Sequence, residues 1–252
     1  MKDSTIFKNK YIKYFLSTSS ILFLILIWFI ISSVYQNDMI FPNIDKIILA
    51  FFNIFKESSN ILAVVYTILR VLFTVLICFL ISFIIVILYV AIPKSIYFFK
   101  PLIQIVRSTP LAVISIFIFI LIGDKLGPYF ITILMSLPVA VEGLLTSVDE
   151  IPKDIIEELK MLKGNIFIKI IKIYLPIIFP FIVMTFIQTL GMSFKVMIMG
   201  EYLCQTKDSI GKTLYAVKYD LAMDTLIAYG ILIVIIVVIL ELIVKTLRKS
   251  IK

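Results

Sequence analysis

The run from Ile61 to Ile92 carries a single charged residue, Arg70. A segment that long and that apolar overfills the core of a soluble domain but suits a bilayer, which about 20 mostly apolar residues can cross. Comparable runs lie at Leu16–Tyr35, Leu102–Ile122, Pro128–Thr146, Ile173–Met199 and Leu226–Val244. The chain is 62% hydrophobic and 16% charged, against about 45–50% and about 25% in soluble domains. In lipid each segment has to pair its own backbone groups. The expected fold is therefore an all-α integral membrane protein with about six transmembrane helices. Lys2, Lys8, Lys10 and Lys13 before the first run would also suit a secretory leader. The "SSVYQND" after Ile31 offers no small-x-small cleavage site, so the run reads as a retained first span. Residues 1–15 then form a cytoplasmic segment and 16–252 one transmembrane domain.

The net charge of +8 reports loop topology rather than nucleic-acid binding, and no basic patch is interleaved with aromatics. Of the 24 Lys and Arg residues, Lys46, Lys56, Arg70, Lys125, Lys195, Lys207, Lys212 and Lys218 fall outside or in the outer half when the N-terminus is inside. The rest fall inside, which puts both termini in the cytoplasm of a multi-pass cell-membrane protein. The chain has no histidine, which removes His bases, His metal sites and His-dependent nucleophiles. Cys78 and Cys204 are expected to form neither a disulfide nor a zinc site.

One stretch breaks the apolar pattern: "EELKMLKGNIFIKIIKIYLP", Glu157–Pro176. Charges this dense cannot cross lipid, at about 2.5–3.5 kcal/mol each near a bilayer centre. Pro152–Lys163 reads as a helix, with proline in the first turn and Glu150 and Asp154 at the positive end of the dipole. Ile155, Ile156, Leu159 and Leu162 line one face, and Asp154, Glu157, Glu158 and Lys160 the other. Gly164-Asn165 ends it, and Ile166–Tyr174 restarts helically. Such an element is either a solvated helix lying on lipid or a docking device for a cytoplasmic partner.

The stretch resembles the EAA coupling loop of ABC importer permease subunits, here at about residues 147–172. Glu157 matches its glutamate and Leu175-Pro176 its closing Leu-Pro. Glu158 and Leu159 replace the usual alanines, and Gly164 stands one residue late, with Lys163 at the glycine position. With Pro180, the form is similar to the branch importing nitrate, sulfonates, taurine and thiamine precursors. "FPNIDKIILAFFNIF", "TILRVLFTVLICF", "KPLIQIVRSTPLAVISIFIFILIG" and "GEYLCQTKDSIGKTLYAVK" resemble further segments of that branch in the same order, over about residues 40–245. The resemblance implies a subunit paired with a second copy, in a likeness to a homodimer, around a translocation path. It implies cytoplasmic ATP-binding subunits docked on Asp154, Glu157, Glu158, Leu159, Leu162, Lys163, Gly164 and Asn165, and an outside substrate-binding protein that sets specificity. ATP would sit on the partner, with no cofactor or metal bound by this chain.

Rival readings are weaker. "TKDSIGKT", Thr206–Thr213, ends like a phosphate loop but has Thr206 where that motif requires glycine. An intramembrane protease would need paired aspartates or a paired serine within spans; Asp124 and Asp220 lie at a span end and in a loop, and Ser136 has no basic partner. An ATP-independent carrier keeps ionisable residues mid-span, where this sequence reads as nearly all apolar. Glu201, with Met199 and Lys195, is the candidate for the path or its gate. The alternative packs Glu201 against backbone donors at a helix end, joined by Lys195 only if the helix bends. Arg70 and Arg107 read as interfacial anchors, and Met192, Met197 and Met199 as packing.

Overall fold

The computed structural model describes residues 10–35, 37–152, 154, 155, 157, 161 and 166–250. Helix α1, Lys10–Tyr35, is apolar on all sides and lies largely outside the packed body. Its C-terminal part is tied to the following loop: the Trp28 indole donates to the Pro42 carbonyl at 3.2 Å, and the Ser32 hydroxyl to Asn43 Oδ1 at 3.0 Å. Asp38 and Lys46 close that loop with a 2.6 Å ion pair. Helix α2, Ile44–Ile54, is short and amphipathic, and it turns Ile47, Ala50 and Ile54 inward.

Helix α3, Ser58–Ala91, runs 34 residues, about 51 Å at 1.5 Å per residue, and so overshoots a hydrocarbon core of about 30 Å. A 3₁₀ turn at Pro93–Ser95 leads into α4, Ile96–Ser108, then α5, Leu111–Ile122. The straight third span expected at Leu102–Ile122 is corrected here: α4 and α5 meet at 98°. The cause is Pro110. It offers no amide hydrogen to continue α4, and it drives Thr109 out of the helical region, to ψ 130°. Among the described residues, five unbroken helices are thus long and apolar enough to cross a membrane, or six spans if the bent pair counts as one.

Helix α6 is Gly127–Asp149, with Pro128 in its first turn. After the charged stretch come α7, Ile166–Lys169, a π turn at Ile170–Tyr174, and α8, Leu175–Cys204. In the π turn the Leu175 N–H bonds the Ile170 carbonyl five residues back. The wider turn lies where the Pro176 ring would crowd the carbonyl of Lys172, four residues before it. Helices α9, Ile210–Tyr219, and α10, Met223–Ser250, complete the chain.

Helices α6 and α8 share the most extensive contact of any helix pair among the described residues, and small residues set its spacing. A Cβ on Gly200 would come within 3.2 Å of Pro128 Cα, and one on Gly143 within 2.6 Å of Thr185 Oγ1. Between them Ser193 donates to Ser136 at 2.9 Å, both fully buried. The contact positions 128, 136 and 143 face 200, 193 and 185, about two helical turns apart on each helix. Small side chains let backbones approach where no water drives helices together. Helix α3 packs beside this pair through Val71, Val75 and Cys78, against a core that includes Leu144, Phe194, Met197 and Tyr229.

Candidate functional site

Glu201 lies near the end of α8 with no exposed side-chain surface. Its carboxylate receives the Arg70 guanidinium at 2.8 Å, and the Thr67 hydroxyl lies 2.9 and 3.0 Å from its two oxygens. The Gly211 N–H points at Oε2 from 3.4 Å, while Thr67 accepts the Ile210 N–H at 3.1 Å. Arg70 also donates to the carbonyls of Lys207 and Asp208, each at 3.0 Å. Thr206 donates to the Asp124 carbonyl at 2.7 Å. One acidic side chain thus joins α3, α8, the start of α9 and, through the 205–209 loop, the α5–α6 turn. Arg70, read as an interfacial anchor, is here the partner of a buried carboxylate, and Lys195 takes no part.

Lys195 and Met199 instead line an open groove of about 520 Å³ between α8, α9 and α10, with Tyr202, Leu214, Lys218 and Gly230. The Lys218 ammonium stands 6.0 Å from the Tyr202 ring centre. Tyr215 meets the Tyr202 ring edge-on and donates to the Tyr219 hydroxyl at 3.2 Å, which pushes the Tyr215 phenol up from its ordinary value. The structure separates the three residues grouped from sequence: Glu201 is enclosed, while Lys195 and Met199 face the groove.

In the charged stretch, Asp154, Ile155, Glu157 and Met161 are helical, and Asp154 and Glu157 are exposed. Ile155, read as part of the helix's apolar face, packs with buried Ile151 against the main core. Met161 is 82% exposed. Glu158, Leu159, Leu162, Lys163, Gly164 and Asn165 lie outside the described residues. The Tyr89 hydroxyl anchors the preceding helix end by donating to Asp149 at 2.9 Å.

Residues 93–252 match the family described as binding-protein-dependent transport system inner membrane component. The chain belongs to this family. It is an inner-membrane transport component of the ABC type, and its helices make it a multi-pass membrane protein. No curated protein matches the chain.

The geometry of the transport component also bears on the rival motifs. Ser209 of "TKDSIGKT" caps α9, accepting the Lys212 N–H at 3.1 Å. Gly211 is pressed against the backbone of Glu201 and Tyr202, so the segment is a packed helix start. Ser136 spends its hydroxyl on the α6–α8 contact.

The apolar reading of the mid-span positions missed Glu142. It sits within α6 and takes Arg107 Nη1 onto both carboxylate oxygens, at 2.7 and 2.6 Å. Its signal was present in the sequence: Glu142 and Asp149 are the only charges on α6, seven residues apart and so on one face.

Proposed function

We propose that this chain is the translocation subunit of an ATP-driven importer for a small solute. The family match carries this reading, since it spans the charged stretch between α6 and α8 as well as the helices on either side. Components of this family work with ATP-binding subunits and a substrate-binding protein. The stretch offers the ATPase exposed charges at Asp154 and Glu157 and an exposed apolar residue at Met161. A mixed surface of this kind gives an interface both contact area and register. When the ATPases close on ATP, the docked segments are drawn together and the helices rock between inward-open and outward-open states. Both termini lie in the cytoplasm, and a second copy or a near relative completes the path. ATP is held by the partner.

Two measurements test the proposal. The purified chain alone should hydrolyse no ATP; robust turnover would overturn the assignment. Glu157→Lys with Leu159→Asp should abolish co-purification with the ATP-binding subunit while insertion is retained, and unchanged co-purification removes the docking role. The Arg107–Glu142 pair is the kind of mid-span charge an ATP-independent carrier keeps. That reading requires uptake in cells that lack the ATP-binding partner.

A further inference from the structure

We infer that the facing sides of α4 and α6 border a water-filled stretch of the solute path, and that the Arg107–Glu142 pair makes this stretch fit for polar solutes of no net charge. The inference rests on the reading of the chain as a translocation subunit. Helix α6 has 23 residues, about 34 Å at 1.5 Å per residue, so it only just crosses a hydrocarbon core of about 30 Å. Glu142 stands seven residues before its end, about 10 Å inward. At that depth the pair is still open: the Arg107 side chain is 60% exposed and that of Glu142 43%. An open ion pair inside a membrane faces the bundle interior or a water-filled cavity, not lipid tails.

The neighbouring residues extend the polar surface. Glu142, Thr146 and Asp149 share one face of α6, and Lys100, Gln104, Arg107 and Ser108 one face of α4, by helical spacing. Thr146, Asp149, Gln104 and Ser108 are exposed. A groove of about 330 Å³ connects Glu142 and Gln104 with Lys100, Asp149 and the Tyr89 hydroxyl at the end of α6. A continuous polar strip thus leads from the helix end inward to the pair. The outer side of α3 has no such strip: Leu76, Leu80 and Ile84 are 58%, 65% and 60% exposed, as a lipid-facing surface is. The two cations of the strip, Lys100 and Arg107, balance its two anions, Glu142 and Asp149. A wall of this kind favours neither sign of ion and offers both donors and acceptors, which suits a neutral or zwitterionic solute.

The test uses Ser108→Cys, which leaves all four charges in place, in membrane fragments open on both faces. The parent chain gives the background, because Cys78 and Cys204 are buried. Ser108→Cys should react with a cationic and an anionic methanethiosulfonate at rates within about threefold of each other, and at least tenfold faster than Leu80→Cys. Adding Glu142→Gln should raise the anionic-to-cationic rate ratio at least about threefold, and adding Arg107→Gln should lower it as much, from one unit charge within a few ångströms in water. Gln104→Cys, on the same face, serves if Ser108→Cys does not accumulate. Labelling no faster than at Leu80→Cys overturns the inference, and a ratio that neither charge removal moves overturns its electrostatic part. No ATPase or solute is needed. A failure here with intact co-purification therefore removes this inference and leaves the importer assignment standing.

Discussion

Gly211 occupies a place that no other residue type fits. A Cβ there would land on the backbone of Tyr202 and on Cβ of Glu201, and backbone cannot swing aside as a side chain can. Gly211→Ala should destabilise the detergent-solubilised protein by about 1–3 kcal/mol, the usual cost of overpacking. Gly230→Ala meets nothing within 4 Å and should be neutral, or stabilising by about 0.5–1 kcal/mol in a helix interior; thermal unfolding of the two variants side by side checks both. Glu201 makes a second residue-scale case. Glu201→Ala leaves Arg70 beside a desolvated gap, and breaking a buried pair on one side costs about 3–5 kcal/mol. Replacing Glu201 by Leu and Arg70 by Met together should cost less than the two single changes summed, in a double-mutant cycle on the same melting assay. Sequence reading singled out Glu201 but did not pair it with Arg70, because the pair spans 131 positions and helix periodicity carries no information on which helices meet.

At the scale of elements, five of the six apolar runs were legible to within a few residues, because lipid imposes length and composition together. The break between α4 and α5 was not. Hydropathy averages over Thr109-Pro110, whereas the backbone responds to the missing amide hydrogen. The π turn before Pro176 was hidden for a similar reason: the prolines were visible, but not which turn would widen to admit them. The charged face of α6 was legible and was passed over, since one carboxylate among so many apolar residues leaves a run looking uniform. The loop joining α1 to α2 permits a test of its own. The Lys46 ammonium hydrogen-bonded to Asp38 holds that carboxyl below its ordinary value. A carboxyl with a depressed folded pKa adds stability above its unfolded value of about 4 and loses it as pH falls through the folded one. Trp28 is the one tryptophan, and its indole is bonded to Pro42 in this loop. Its emission should hold steady from neutral pH down to about 4 and shift below that. Asp38→Asn should remove the acid shift.

Across the whole molecule, among the described residues, α6 and α8 form a paired unit with α3 against it, while α1 touches the rest mainly through its C-terminal part. The pairing depends on the absence of side chains at Gly143 and Gly200. Gly143→Leu should force the helices apart and lower stability by about 3 kcal/mol or more, at or beyond the upper end of overpacking costs; faster tryptic cleavage of the solubilised chain would report it. On the proposed coupling, a pull on the charged stretch between these two closely packed helices would be delivered to both. The short arm α5 has a different consequence, in the order of synthesis. Its 12 residues reach about 18 Å, too short to settle in the bilayer as a span of its own. The residues that enclose Ile114 and Ile118 include Val196 and Cys204, which leave the ribosome roughly eighty residues later. At about 5–20 residues per second, the arm waits on the order of ten seconds for its berth, and this part of the transporter reaches its final place only after the next two long helices have been made.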